Sequence, residues 1–128
     1  MRIRWIYLIV WSIIICLLTL LPGNCFPQIR DFWDWLQWDK LVHLLMFGVF
    51  SILFLRILTL SKASFIQYGC AFLSGWAFGG LIELLQFYVI RGRSGNLYDF
   101  YADGLGCLLF LVGYAIGATH TPEKERRQ

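Results

Sequence analysis

Charge is scarce in this chain. Lysine, arginine, aspartate and glutamate make up 15% of its 128 residues, against about 25% in soluble proteins. That deficit excludes an ordinary soluble domain. Basic residues are too few to track a nucleic acid: Arg91 and Arg93 form no stripe, and Glu123 and Glu125 interrupt the basic tail. Nucleic acid is therefore not expected as a partner, despite a net charge of +3. Four cysteines occur without a CxxC or mixed Cys/His spacing, so neither a zinc site nor a pairing is indicated. Cys16, Cys70 and Cys107 sit in apolar runs, where a thiol acts as a small hydrophobe, and Cys25 follows the first run. No motif marks a serine or cysteine nucleophile. Ser94, beside Arg93, has no such motif around it.

What is present is apolar: 59% of the residues are hydrophobic. A hydrocarbon core of roughly 30 Å needs about 20 apolar residues per helix. Four runs qualify, at about 3–21, 41–60, 63–90 and 97–118. The expectation is an all-α, polytopic integral membrane protein, with four transmembrane helices packed as a small bundle in one domain over 1–118. A charged cytoplasmic tail follows at 119–128.

Arg2 and Arg4 before the first run resemble a secretory signal. The exit reads Leu20-Leu21-Pro22-Gly23-Asn24-Cys25. It offers no small-x-small cleavage site, and Asn24 is too bulky for a lipobox, so the run is taken as a retained helix ended by Pro22-Gly23.

Between the first two runs, Ile29, Phe32, Trp33 and Leu36 recur at helical spacing while Arg30, Asp31 and Asp34 take other angles. With Trp33, Trp35 and Trp38 suited to the headgroup level, 26–38 reads as a short interfacial helix. Arg2, Arg4, Arg56, Lys62, Lys124, Arg126 and Arg127 lie on one side of the spans, and Arg30, Lys40, Arg91 and Arg93 on the other. Seven against four places both termini in the cytoplasm.

The polar residues crowd the opposite, outward ends. Asp39, Lys40 and His43 open the second run, and Glu83 and Gln86 lie near the close of the third. Arg91 and Arg93 follow it, and Asp99 and Asp103 open the fourth. Ionisable groups at membrane depth are costly and usually face the bundle interior. At 1.5 Å per residue, His43 and Asp103 each lie about 6 Å inward of Asp39 and Asp99, and Glu83 about 10 Å inward of residue 90.

Small residues line the same faces. Ala71, Gly75 and Gly79 lead to Glu83, and Gly106, Gly113 and Gly117 continue from Asp99 and Asp103. Small residues let membrane helices approach closely, so the packing faces also carry the carboxylates.

Each residue has a functional and a plain reading. His43 is either an acid/base candidate or a ring satisfied by Asp39. Glu83 must be protonated, paired or hydrated where it lies, and is the second acid/base candidate. Asp99 reads equally as an N3 partner to an Asn96 cap, a reading that does not suit the deeper Asp103. Arg93, with Arg91, either anchors an anionic headgroup or holds Glu83 and Asp99. Gln86 suits a cross-helix hydrogen bond. Hard oxygen ligands beside His43 leave metal binding chemically open. No recognised ligand spacing supports it, however, so no metal and no cofactor are expected.

Three blocks carry a resemblance. Asp39-Lys40-Leu41-Val42-His43, Glu83-Leu84-Leu85-Gln86, and Arg93 followed six residues later by Asp99 are similar, in order and spacing, to the pattern of the VanZ-like membrane proteins. The resemblance covers 39–106, with a matching helix before it. It implies a bacterial inner-membrane protein with this helix arrangement and this polar site. One member of that family is linked to tolerance of teicoplanin, a lipoglycopeptide acting at the cell surface. The family pattern commonly has asparagine where this chain has Asp103, and a small residue where it has Phe110.

The resulting expectation is a site that binds, or modifies, an amphiphile of the cell envelope. The amphiphile would be a lipid headgroup, a lipid-linked wall precursor or a lipidated antibiotic. His43 and Glu83 are the acid/base candidates, with Asp39, Lys40, Gln86, Arg91, Arg93, Asp99 and Asp103 binding or orienting. Membrane lipids are the expected partners. The alternatives are a small proton-coupled transporter built as a homo-oligomer, and a structural or assembly protein whose cluster only locks helices. Transport is disfavoured because substrate paths centre near the midplane, where no carboxylate lies.

Overall fold

The computed structural model describes residues 2–20, 38–59, 62–89 and 97–120. These form four α-helices: α1 (Arg2–Leu20), α2 (Trp38–Leu58), α3 (Phe65–Val89) and α4 (Leu97–His120). Stretches of 18, 19, 24 and 23 residues within them are long and apolar enough to cross a membrane. At 1.5 Å per residue these stretches are roughly 27–36 Å long, which matches a hydrocarbon core of about 30 Å. The chain is an all-α, multi-pass membrane protein whose helices pack as a bundle. The expected interfacial helix at 26–38 lies almost wholly outside the described residues, as do 121–128 of the tail. Its last residue, Trp38, is the first of α2.

Packing gives the helix directions. Arg4 Nη1 near the start of α1 donates to the carbonyls of Arg56 and Thr59 (2.7 and 2.8 Å) at the end of α2. The last carbonyls of a helix have no partners within it and sit at the negative end of its dipole. A guanidinium there both caps α2 and fixes α1 antiparallel to it. Arg4→Ala is expected to cost about 1.5 kcal/mol, typical of a hydrogen bond to a charged group, read as an earlier midpoint in detergent unfolding.

At the other end of α1, Gln86 Nε2 of α3 donates to the carbonyl of Thr19 at 2.8 Å. This too caps a helix end. Gln86→Leu is expected to cost about 1 kcal/mol by the same assay, without disturbing the polar groups beside it.

α2 lies at the centre, against all three other helices, and packs most extensively on α4. Phe47, Phe50, Met46 and Ile57 of α2 form the core with Leu8 and Ile15 of α1, Ile82 of α3 and Cys107 of α4. Phe78 of α3 stacks on Phe50 (5.0 Å) and meets Phe47 edge-on (5.8 Å). A smaller cluster of Leu55, Ala71 and Leu111 fills the far end.

Close approach is made where side chains are small. A Cβ on Gly106 would strike the backbone carbonyl of Leu44, so α2 and α4 touch backbone to backbone there. A Cβ on Gly79 would strike the carboxylate of Asp103, which therefore lies directly against the surface of α3.

The expected stripe on α4 holds only in part. Gly113 and Gly117 face open space, and burial passes instead to Cys107 and Leu111. The physical reason is the row followed. Contact runs down 103, 107 and 111 in steps of four, whereas the glycines drift off that row in steps of three, four and seven. Phe110 fills the space over Gly48 (2.5 Å from a Cβ placed there).

Candidate functional site

Three helices deliver their polar groups to one depth. His43 is five residues into α2, Asp103 six into α4, and Glu83 six before the end of α3. Each is therefore roughly 8–9 Å from its helix end, all at the same end of the bundle. The three are buried, at 2%, 0% and 8% exposure.

His43 Nδ1 lies 3.0 Å from Asp103 Oδ1 and 3.9 Å from Glu83 Oε1. With its proton on Nδ1, the imidazole donates a hydrogen bond to Asp103. One ligand atom from each of the three residues falls within 4.8 Å of the others. Below them the site is apolar: the His43 ring stacks on Phe47 at 6.1 Å, and Cys107 Sγ, one turn beneath Asp103, donates to the Phe47 carbonyl at 3.4 Å. The absence of a side chain at Gly79 makes room for the Asp103 carboxylate.

One turn outward, Lys40 Nζ sits 3.8 Å from Asp99 Oδ1 and 5.9 Å from the centre of the Tyr98 ring. Asp99 is buried and Lys40 is half-buried. The pair adds a cation at the mouth of the site, held between carboxylate and ring.

On the outer face of the bundle, α3 and α4 leave an apolar groove of about 530 Å³. Gly80, Leu84, Phe87, Leu97 and Phe100 line it, and so does Glu83. Leu84, Phe87 and Leu97 are exposed, so the groove opens where lipid would lie. Glu83 thus belongs both to the groove and to the buried cluster.

Of the residues named from the sequence, the structure brings His43, Glu83 and Asp103 together, and joins Lys40 to Asp99. Gln86 points elsewhere, to Thr19 of α1. The Asp39 side chain, Arg91 and Arg93 lie outside what is described. Asp103 of α4 stands at Nδ1 of His43, whose plain reading from the sequence paired the ring with Asp39. The groove escaped sequence reading because its walls, Leu84, Phe87, Leu97 and Phe100, are ordinary lipid-facing residues by type. Thr19 escaped because the carbonyl, not the side chain, is what Gln86 binds.

Compared with family models, with curated proteins and with solved structures, the chain finds no match.

Proposed function

We propose that this is a VanZ-like protein of the bacterial inner membrane that binds an amphiphile of the cell envelope at its outward face. The observation that carries the reading is the double position of Glu83, which lines the α3–α4 groove and lies 3.9 Å from His43. An acyl or prenyl chain lying in the groove would bring its head to Glu83, at the same end of the bundle as Lys40 beside Asp99.

Arg91 and Arg93 follow α3 in sequence and would add positive charge for a phosphate or carboxylate head. Orientation rests on the seven-to-four bias of basic residues, which puts both termini in the cytoplasm. The carboxylates and the imidazole serve binding and orientation in this reading, without turnover.

The test is photo-crosslinking of the membrane-embedded protein to a diazirine phospholipid and to a diazirine polyprenyl phosphate, beside membrane abundance. Leu84→Trp, at an exposed wall of the groove, would fill it, and Glu83→Gln would remove the carboxyl group at its head. Both are expected to keep abundance near wild type while crosslinking falls several-fold. In a deletion host, the same variants should lose survival under lipoglycopeptide or other envelope stress. Equal crosslinking in wild type and both variants would sink the reading. Loss of abundance in Glu83→Gln alone would favour the structural alternative, in which His43, Asp103 and Glu83 only lock three helices.

A further inference from the structure

From the donor set at the buried cluster we infer that His43, Glu83 and Asp103 form a binding site for one divalent transition-metal ion, of the Zn²⁺ or Mn²⁺ class. The inference stands apart from amphiphile binding and does not need it. The geometry comes first. Two ligands at about 2.1 Å from a tetrahedral ion are roughly 3.4 Å apart. The His43–Asp103 and His43–Glu83 separations, 3.0 and 3.9 Å, bracket that spacing, and all three donors fit within 4.8 Å. The three come from three different helices, so an ion among them would also tie α2, α3 and α4 at one point.

Electrostatics supplies the second argument. Two carboxylates and an imidazole lie at membrane depth with exposures of 8% or less. Ionised groups there are expensive. A divalent cation neutralises both carboxylates in place and leaves the cluster with no net charge. A proton on Nδ1 of His43 gives the competing arrangement, a simple hydrogen bond to Asp103. Metal and proton therefore compete for the same nitrogen.

The chemistry of the donors narrows the ion. One imidazole nitrogen with two carboxylate oxygens is a borderline set, suited to zinc, iron or manganese. Calcium takes six to eight oxygens and magnesium keeps most of its water, so neither gains much from these three groups. Copper(I) prefers thiolate and thioether ligands. Three protein ligands leave one or more positions on the ion open. Glu83 also lines the groove between α3 and α4, so that side is where an exogenous oxygen would reach the ion.

The experiment uses the full chain purified in detergent, stripped with chelator and dialysed against Zn²⁺, Mn²⁺ or Mg²⁺ singly, with detergent blanks. Metal content by mass spectrometry is expected to approach one Zn²⁺ or Mn²⁺ per chain, with Mg²⁺ at the blank. His43→Ala and Asp103→Asn are expected to reduce affinity by more than the roughly 10–100-fold that loss of an outer partner costs, while Gly113→Ala, where an added Cβ meets open space, retains it.

A second readout needs no variant. Electron-spin-echo modulation of Mn²⁺ on the wild type is expected to show coupling to one imidazole nitrogen. Metal content at the blank for both ions, or bound Mn²⁺ with no nitrogen coupling, would overturn the site. The first result would leave His43 and Asp103 as a proton-bridged pair. Neither readout depends on lipid crosslinking, so this inference and the amphiphile reading fail separately.

Discussion

Gly106→Leu is expected to remove the folded protein from the membrane, and Gly106→Ala to lower its stability by about 3 kcal/mol, at the upper end for overpacking. The reason is the partner. A Cβ at 106 meets the Leu44 carbonyl and the Leu44 Cα. Those are backbone atoms of α2, which cannot rotate out of the way as a side-chain tip can. The two helices would have to separate, and the separation propagates. Leu44 immediately follows His43, and Gly106 lies one turn below Asp103 on the same face of α4. Spreading α2 from α4 would lengthen the 3.0 Å contact between His43 and Asp103 and open the packing of Cys107 on Phe47. Against a total stability of about 5–15 kcal/mol, a loss of 3 is large.

Gly113→Ala is the matched control. That glycine faces open space, and alanine is expected to be neutral within about 0.5 kcal/mol. The check is an unfolding titration in mixed micelles with membrane abundance measured in parallel. If Gly106→Ala matched Gly113→Ala, the backbone contact between α2 and α4 would not be a principal support of the bundle.

The contrast between Gly106 and Gly113 shows what the sequence could disclose and where it stopped. Four spans were legible because length and apolarity are local properties: each run had only to be long enough for the bilayer. The face of α3 that packs was legible too, since Ala71, Gly75 and Gly79 keep one strict step of four and end at Glu83. On α4 the small residues change step, so angular position alone could not say how far down the contact reaches. The structure follows 103, 107 and 111, and leaves the lower glycines in the open.

The candidate site divides in the same way. That His43, Glu83 and Asp103 share a depth follows from counting residues inward from the helix ends. Which carboxylate meets the imidazole depends on the rotation of α2 against α4, a tertiary quantity set by Gly106 on Leu44 and Phe110 over Gly48. The cross-bundle ties of Arg4 and Gln86 use backbone carbonyls as acceptors. A carbonyl has no signature in the side-chain sequence.

Asp103→Ala is expected to cost about 1–3 kcal/mol, the range for leaving a buried polar group without its partner. Asp103→Asn is expected to cost much less. In the alanine variant, His43 and Glu83 stay buried on α2 and α3 with the Oδ1 acceptor gone, and a polar group stranded in an apolar site costs its full desolvation. Asparagine keeps the volume and an amide oxygen in the same place, able to accept from Nδ1–H. It is also the residue usual at this position in the VanZ-like pattern proposed for the chain.

The pair of variants therefore separates two demands on one side chain. Packing and hydrogen bonding ask only for an acceptor of the right size, which either residue supplies. Holding a cation asks for negative charge, which only aspartate supplies. Unfolding titrations of wild type, Asp103→Ala and Asp103→Asn in the same detergent are expected to rank Asn close to wild type and Ala far below. Metal uptake is expected to be lost in both. Equal destabilisation by Ala and Asn would mean that the carboxylate's charge, and not its shape, holds α4 to α2. The 3.0 Å contact of Asp103 with His43 would then be an ion pair to a protonated imidazole and not a neutral hydrogen bond.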